Sequence, residues 1–121
     1  MATFQKFEDI KAWQKARELT KEIYLATSDN SFSKDFGLCD QIRRASVSIM
    51  ANIAEGYGRK TNKDFAHFLV ISHGSAAETQ SHLYIALDLK YISSEKFAEL
   101  YQLLDEISRM TMALCQHLNK T

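Results

Sequence analysis

A chain with no proline, and with glycine only at Gly37, Gly56, Gly58 and Gly74, has little of the turn chemistry that a many-stranded sheet requires. Helix is the default for such a chain. Apolar residues recurring at three-and-four spacing in four blocks support it. At 121 residues, 45% of them hydrophobic and 25% charged, the chain reads as one globular domain over residues 1–121. A domain of this size buries roughly two-thirds of its unfolded surface and needs no disulfide or metal to fold.

The spacing predicts helices over approximately 8–26, 33–57, 61–90 and 94–119. In the first, Ile10, Trp13, Ala16, Thr20, Ile23 and Tyr24 share one side, with Lys11, Lys15 and Glu18 turned away. The polar stretch 27–31, TSDNS, reads as the following loop. The glycines of EGYGR, residues 55–59, are expected to end the second helix by taking the left-handed conformation. Thr61 with Asp64 forms a capping pattern for the third helix, whose stripe is Phe65, Phe68, Leu69, Ser72, Ala76, Thr79, Leu83, Ala86 and Leu87. Ser93 or Ser94 caps the fourth, which carries Phe97, Leu100, Leu104, Ile107, Thr111, Leu114 and Leu118. Long helices with short connections predict an all-α, antiparallel up-down four-helix bundle.

Helix two is the unusual one. From Ala45 to Ala54 no residue is charged. Ile42, Ile49 and Ile53 fall on one line of the helical wheel, with Ala45 on one side and Val47, Met50 and Ala54 on the other, so the apolar arc spans roughly 200°. One core needs little more than about 100°. The excess is explained either by central burial within one bundle or by a second subunit. The second explanation makes Arg43, Val47, Met50, Ala54 and Glu55 the candidate oligomer interface.

Fifteen basic and fifteen acidic residues cancel, so the whole chain is not a general polyanion binder. The distribution is uneven: residues 41–63 carry five cations and one anion, a net +4, against −1 before and −3 after. Arg43, Arg44, Arg59, Lys60 and Lys63 are accordingly the candidate nucleic-acid-binding residues, arginine gripping phosphate bidentately and lysine as a point charge. The competing reading pairs the arginines with carboxylates such as Glu55 across a subunit contact. Cys39 and Cys115 sit in apolar helical patterns and read as core residues in a reducing compartment. The opening MATFQKFEDIKAW lacks a signal-type apolar region, and no run approaches the ~18 apolar residues of a membrane span; a cytoplasmic, non-membrane protein is expected.

The catalytic patterns in the chain are incomplete. No Glu is followed three residues later by His, the spacing a di-iron bundle uses; Glu78 and His82 lie four apart but make only two ligands. GYGR lacks the phosphate-loop context. Cys115 and His117 face different ways on one helix. Helical ribonucleases of the HEPN kind place arginine four to six residues before histidine, whereas Arg59 with His67 and Arg109 with His117 are more widely spaced. No catalytic residue, metal ligand or cofactor is expected.

The segment QIRRASVSIMANIAEGYGR (41–59) strongly resembles the four-helix bundle family also called 23S rRNA intervening-sequence proteins, as do FEDIKAWQKARELTKEIY (7–24) and DFAHFLVISHGSAAETQSHLYIA (64–86). The resemblance covers nearly the whole chain, three motifs standing in the family's order. It implies an antiparallel bundle assembling as a ring-like homopentamer. Among the proteins of this kind are reading frames within insertions of bacterial large-subunit rRNA genes, and the accessory variability determinant of diversity-generating retroelements, which binds nucleic acid and a reverse transcriptase. Gln41, Ile42, Arg43, Arg44, Asn52, Ile53, Ala54, Glu55, Gly56 and Arg59 match its motif; Met50 stands where the family commonly has proline, so helix two is expected to run straighter. The combined expectation is a non-enzymatic oligomeric scaffold or binding module, with an RNA-binding accessory role as the alternative, a small HEPN-like ribonuclease ranked behind it, and a protein partner also open.

Overall fold

In the computed structural model, which describes residues 4–120, each helix begins where a particular side chain or backbone kink lets it begin. Helix α1 (Lys11–Thr27) follows Ile10, whose extended backbone separates it from a 3₁₀ turn at Phe7–Asp9. The sequence pattern starts this helix near Glu8. Asp9 instead turns back, its carboxylate accepting from the backbone N–H groups of Gln5 and Lys6 at 3.1 and 3.3 Å. A second 3₁₀ turn, Phe32–Lys34, delays α2 (Phe36–Gly58) past the expected start at Ser33. Asp35 caps α2 by accepting from the Leu38 N–H at 3.1 Å. Its other oxygen accepts from the Tyr91 hydroxyl at 2.9 Å, a bond that raises the Tyr91 pKa above its ordinary value.

Helix α3 (Asn62–Asp88) is capped by Thr61, which accepts from the Asp64 N–H at 3.1 Å. Helix α4 (Ser94–Asn119) is capped by Ser93, which accepts from the Lys96 N–H at 3.0 Å. The turn between α2 and α3 corrects the expectation for EGYGR. No glycine has a positive φ; the left-handed residue is Lys60 at φ 73°, as Asn30 (45°) and Lys90 (61°) are in the other connections. Gly56 lies inside α2 and is buried, because a Cβ there would stand 2.7 Å from the Cβ of Phe68 and 3.3 Å from the Phe65 carbonyl oxygen. Its missing side chain is what lets α2 and α3 cross closely.

The four helices form a closed square in chain order, α1 against α2 and α4, α3 against α2 and α4; no strand occurs among the described residues. Neighbours run antiparallel. Ser48 and Ser75 hydroxyls meet at 2.9 Å while Ser72 Oγ donates to the Ile49 carbonyl at 2.8 Å, so α3 numbering falls as α2 numbering rises. Between α3 and α4, Gln80 donates to Asp105 at 2.9 Å; between α1 and α4, Lys15 pairs with Glu106 at 2.9 Å and Lys96 with Glu22 at 3.3 Å. The core runs along Leu19 and Ile23, Ile42, Ile49 and Ile53, Leu69 and Leu83, and Leu100, Leu104 and Ile107. Each such side chain contributes about 1.5–3 kcal/mol through removal from water. Buried hydroxyls in the same layer do not oppose this: those of Thr27, Ser46, Ser72, Thr79 and Thr111 all donate to backbone carbonyls.

Candidate interaction surfaces

The last turn of α1, the Phe32–Lys34 turn and the first half of α2 frame an open groove of about 990 Å³. Arg43 is fixed along it. Its Nε donates to Thr27 Oγ1 at 2.8 Å and its Nη2 to Ser28 Oγ at 3.2 Å, while the guanidinium carbon lies 4.6 Å from the centre of the Tyr24 ring. Arg44 pairs with Asp40 one turn away at 3.0 Å, on the open surface where such a pair contributes little. Phe36 is 80% exposed at the groove's edge, and Val47 is 39% exposed further along α2. The Cys39 thiol donates to the Phe32 carbonyl at 3.1 Å; burial raises its pKa, with Arg43 pulling the other way.

The five candidate cations do not form one patch. Arg43 and Arg44 belong to this groove, whereas Arg59 caps the far end of α2, 15 residues beyond Arg44 and about 22 Å away at the helical rise. Arg59 is already engaged, paired with Glu55 at 3.0 Å and lying 5.0 Å from the Phe68 ring centre. Lys60 and Lys63 are exposed beside it.

The candidate interface residues also divide. Val47 and Glu55 are exposed, and Arg43 is half-buried at the groove. Met50 and Ala54 are half-buried against the core, on a helix that also receives the segment around Phe7–Asp9. That segment is pinned where the Tyr57 hydroxyl donates to the Phe4 carbonyl at 2.7 Å. Part of the wide arc of α2 is therefore used inside the subunit.

A second apolar surface, the outer face of α3, escapes the heptad reading. Val70, Ile71, Tyr84, Ile85 and Leu89 are between 38% and 54% exposed there. A signal was present: from Phe65 to Leu87 the only formally charged residue is Glu78. A helix apolar on nearly every side is ordinarily covered on every side, yet α2 and α4 cover only part of this one. Gly74, Ala77 and Ser81 hold the middle of the face low. A Cβ on Gly74 would meet nothing within 4 Å, so Gly74→Ala should stabilise the isolated subunit by up to about 1 kcal/mol, read from its thermal midpoint.

No constellation for chemistry appears. Among the described residues no group of three or more His, Cys, Asp or Glu is placed to hold a metal. His82 and Glu78 approach to 3.3 Å as a single pair. His67 packs edge-on against Phe68 at 5.7 Å between ring centres. No helix among the described residues is long and apolar enough to cross a membrane.

Fold and surfaces together define a small up-and-down four-helix bundle whose distinguishing features are on its outside. The chain belongs to the 23S rRNA-intervening sequence protein family, whose model matches residues 8–113. It is similar to a solved structure from Bacteroides thetaiotaomicron, described as a protein with unknown function from the S23 ribosomal protein family. The two share 26% sequence identity with a TM-score of 0.80, over 87% of this chain and 95% of that one. No curated protein matches the chain.

Proposed function

We propose that this protein is a non-enzymatic oligomeric scaffold of the cytoplasm, a ring of five bundles joined through contacts that include the α2 surface. Arg43, Val47 and Glu55 stand at that contact, with Met50 and Ala54 backing it from the core. The observation that carries this reading is the pair of exposed apolar faces, on α1–α2 and on α3, in a chain whose core is already complete. Apolar surface of that extent is ordinarily covered by a partner. Separation of the cations into two sites, one of them partly neutralised by Glu55, favours assembly over a continuous RNA track.

Light scattering behind size exclusion should return a mass several-fold above the 13.8 kDa of one chain, in a peak whose 260/280 nm absorbance ratio is that of protein alone. A monomer would overturn the scaffold reading. A multimer with excess 260 nm absorbance that rising salt removes would replace it with an RNA-binding one.

A further inference from the structure

We propose that the α1–α2 groove is a binding site for a small monocarboxylate carried on an apolar body, its head group gripped by Arg43. Lys15, Arg44, Arg59 and Lys96 each face a carboxylate at 2.9–3.3 Å. Arg43 is held differently. Two neutral hydroxyls, on Thr27 and Ser28, and the Tyr24 ring fix it, and among the described residues no carboxylate pairs with it. It is half-buried, so a positive charge stands fixed, partly removed from water and unneutralised at the groove wall. A guanidinium has five N–H donors, of which Nε and Nη2 spend one each on the hydroxyls. Three remain, two on Nη1 and one on Nη2, and a parallel pair of them makes the fork that matches the two oxygens of a carboxylate.

The protons of the groove select an acceptor. Thr27 gives its hydroxyl proton to the Ile23 carbonyl, Ser28 to that of Tyr24, and Ser33 to that of Asn30, at 2.6–2.7 Å, and the Cys39 thiol donates to Phe32. These side chains have no proton left for a ligand, which leaves the arginines to grip it. The lining carries Arg43, Arg44 and one carboxylate, Asp40, which Arg44 already occupies, so its formal charge is +1. A monoanion balances that charge; a dianionic phosphate overshoots it and meets Asp40. Phe36, Val47 and Tyr24 supply apolar wall for the rest of the ligand, and about 990 Å³ stands at the upper end of the roughly 300–1,000 Å³ usual for small-molecule sites. Arg43 and Val47 also stand at the contact proposed above, yet every group named here comes from one copy, so the site does not rest on that reading.

Saturation-transfer difference NMR on the full chain should show saturable binding of phenylacetate. Phenylacetamide, nearly the same shape without the charge, should bind about tenfold more weakly, having lost a charge-assisted pair. Phenyl phosphate should bind no more tightly than phenylacetate. Arg43→Lys keeps the charge but not the fork, and should weaken phenylacetate binding about tenfold. Arg43 also ties α2 to the end of α1, so Phe36→Ser serves should that variant fail to fold; at an 80% exposed position it should weaken binding several-fold and leave the thermal midpoint unchanged. Equal binding of the amide would overturn the proposal, as would unchanged affinity in either variant. Tighter binding of phenyl phosphate would overturn the carboxylate assignment in favour of a phosphate group. A wild type that binds none of the three would also overturn it, the groove then being covered by a second copy or another macromolecule. Light scattering on the same sample separates this result from the scaffold reading: a monomer that binds phenylacetate sustains the site and overturns the scaffold, and a multimer that does not bind it does the reverse.

Discussion

Ile49→Ala should lower the unfolding free energy by about 2–5 kcal/mol, read as a shift of the urea midpoint at fixed protein concentration. Ile49 is 0% exposed and sits on the line with Ile42 and Ile53 that faces the bundle axis. The cost of such a truncation depends on whether the surroundings can collapse into the vacated space. Here they cannot easily do so. The carbonyl of Ile49 accepts the buried Ser72 hydroxyl at 2.8 Å, and the preceding residue, Ser48, meets Ser75 at 2.9 Å, so α2 and α3 are fixed at that level. The expected value therefore lies in the upper half of the range. A cost below about 1 kcal/mol would mean that α2 moves freely against α3, contrary to these bonds.

Gly56→Val should cost about 3 kcal/mol, at the upper end of the usual cost of overpacking. A first added carbon would meet the Cβ of Phe68 at 2.7 Å and the Phe65 carbonyl at 3.3 Å. Neither is the free end of a flexible side chain, so relief requires the two helices to separate. Gly56→Ala provides the graded comparison. Its gain in helix propensity, about 1 kcal/mol, offsets part of the clash, and the net loss should be about 1–2 kcal/mol. The order glycine, alanine, valine in denaturation midpoint tests the close crossing directly. An alanine variant as stable as the wild type would place the crossing elsewhere. Gly74, open on the outer face, should respond in the opposite direction.

What the sequence made legible followed from strong periodicity. The line of Ile42, Ile49 and Ile53 is fully buried, and so are Leu100, Leu104, Ile107 and Thr111 on α4. Thr61 caps α3, and of the two serines offered for α4 it is Ser93 that caps. Errors arose where a local signal had two physical meanings. The first helix is expected from about residue 8, but Glu8 and Asp9 belong to a 3₁₀ turn set off by the extended backbone of Ile10. Tyr24 lies on the apparent stripe of α1 yet is 42% exposed, because its ring supports Arg43, while Leu19, outside that list, is 0% exposed. The glycines of EGYGR look like helix terminators, yet one of them is a point of close packing. On α3 the apolar outer face was diluted by Gly74 and Ser81, which a heptad count does not score as apolar; the absence of charge was the better guide. The groove was the least legible feature, since it joins Thr27 and Ser28 to Arg43 across a loop.

The order in which the helices close the square has a consequence for the chain as it is made. Two of the four helix contacts, α1 with α2 and α2 with α3, join sequence neighbours made first and form early, with little loop entropy to overcome. The other two, α4 against α3 and α4 against α1, wait for residues 94–119. At ordinary synthesis rates those 26 residues take about 1–5 s to appear. During that interval the sides of α1 and α3 that α4 will cover stand open, alongside the outer face of α3. The nascent three-helix stage, rather than the finished bundle, is thus where the chain is most exposed to wrong association.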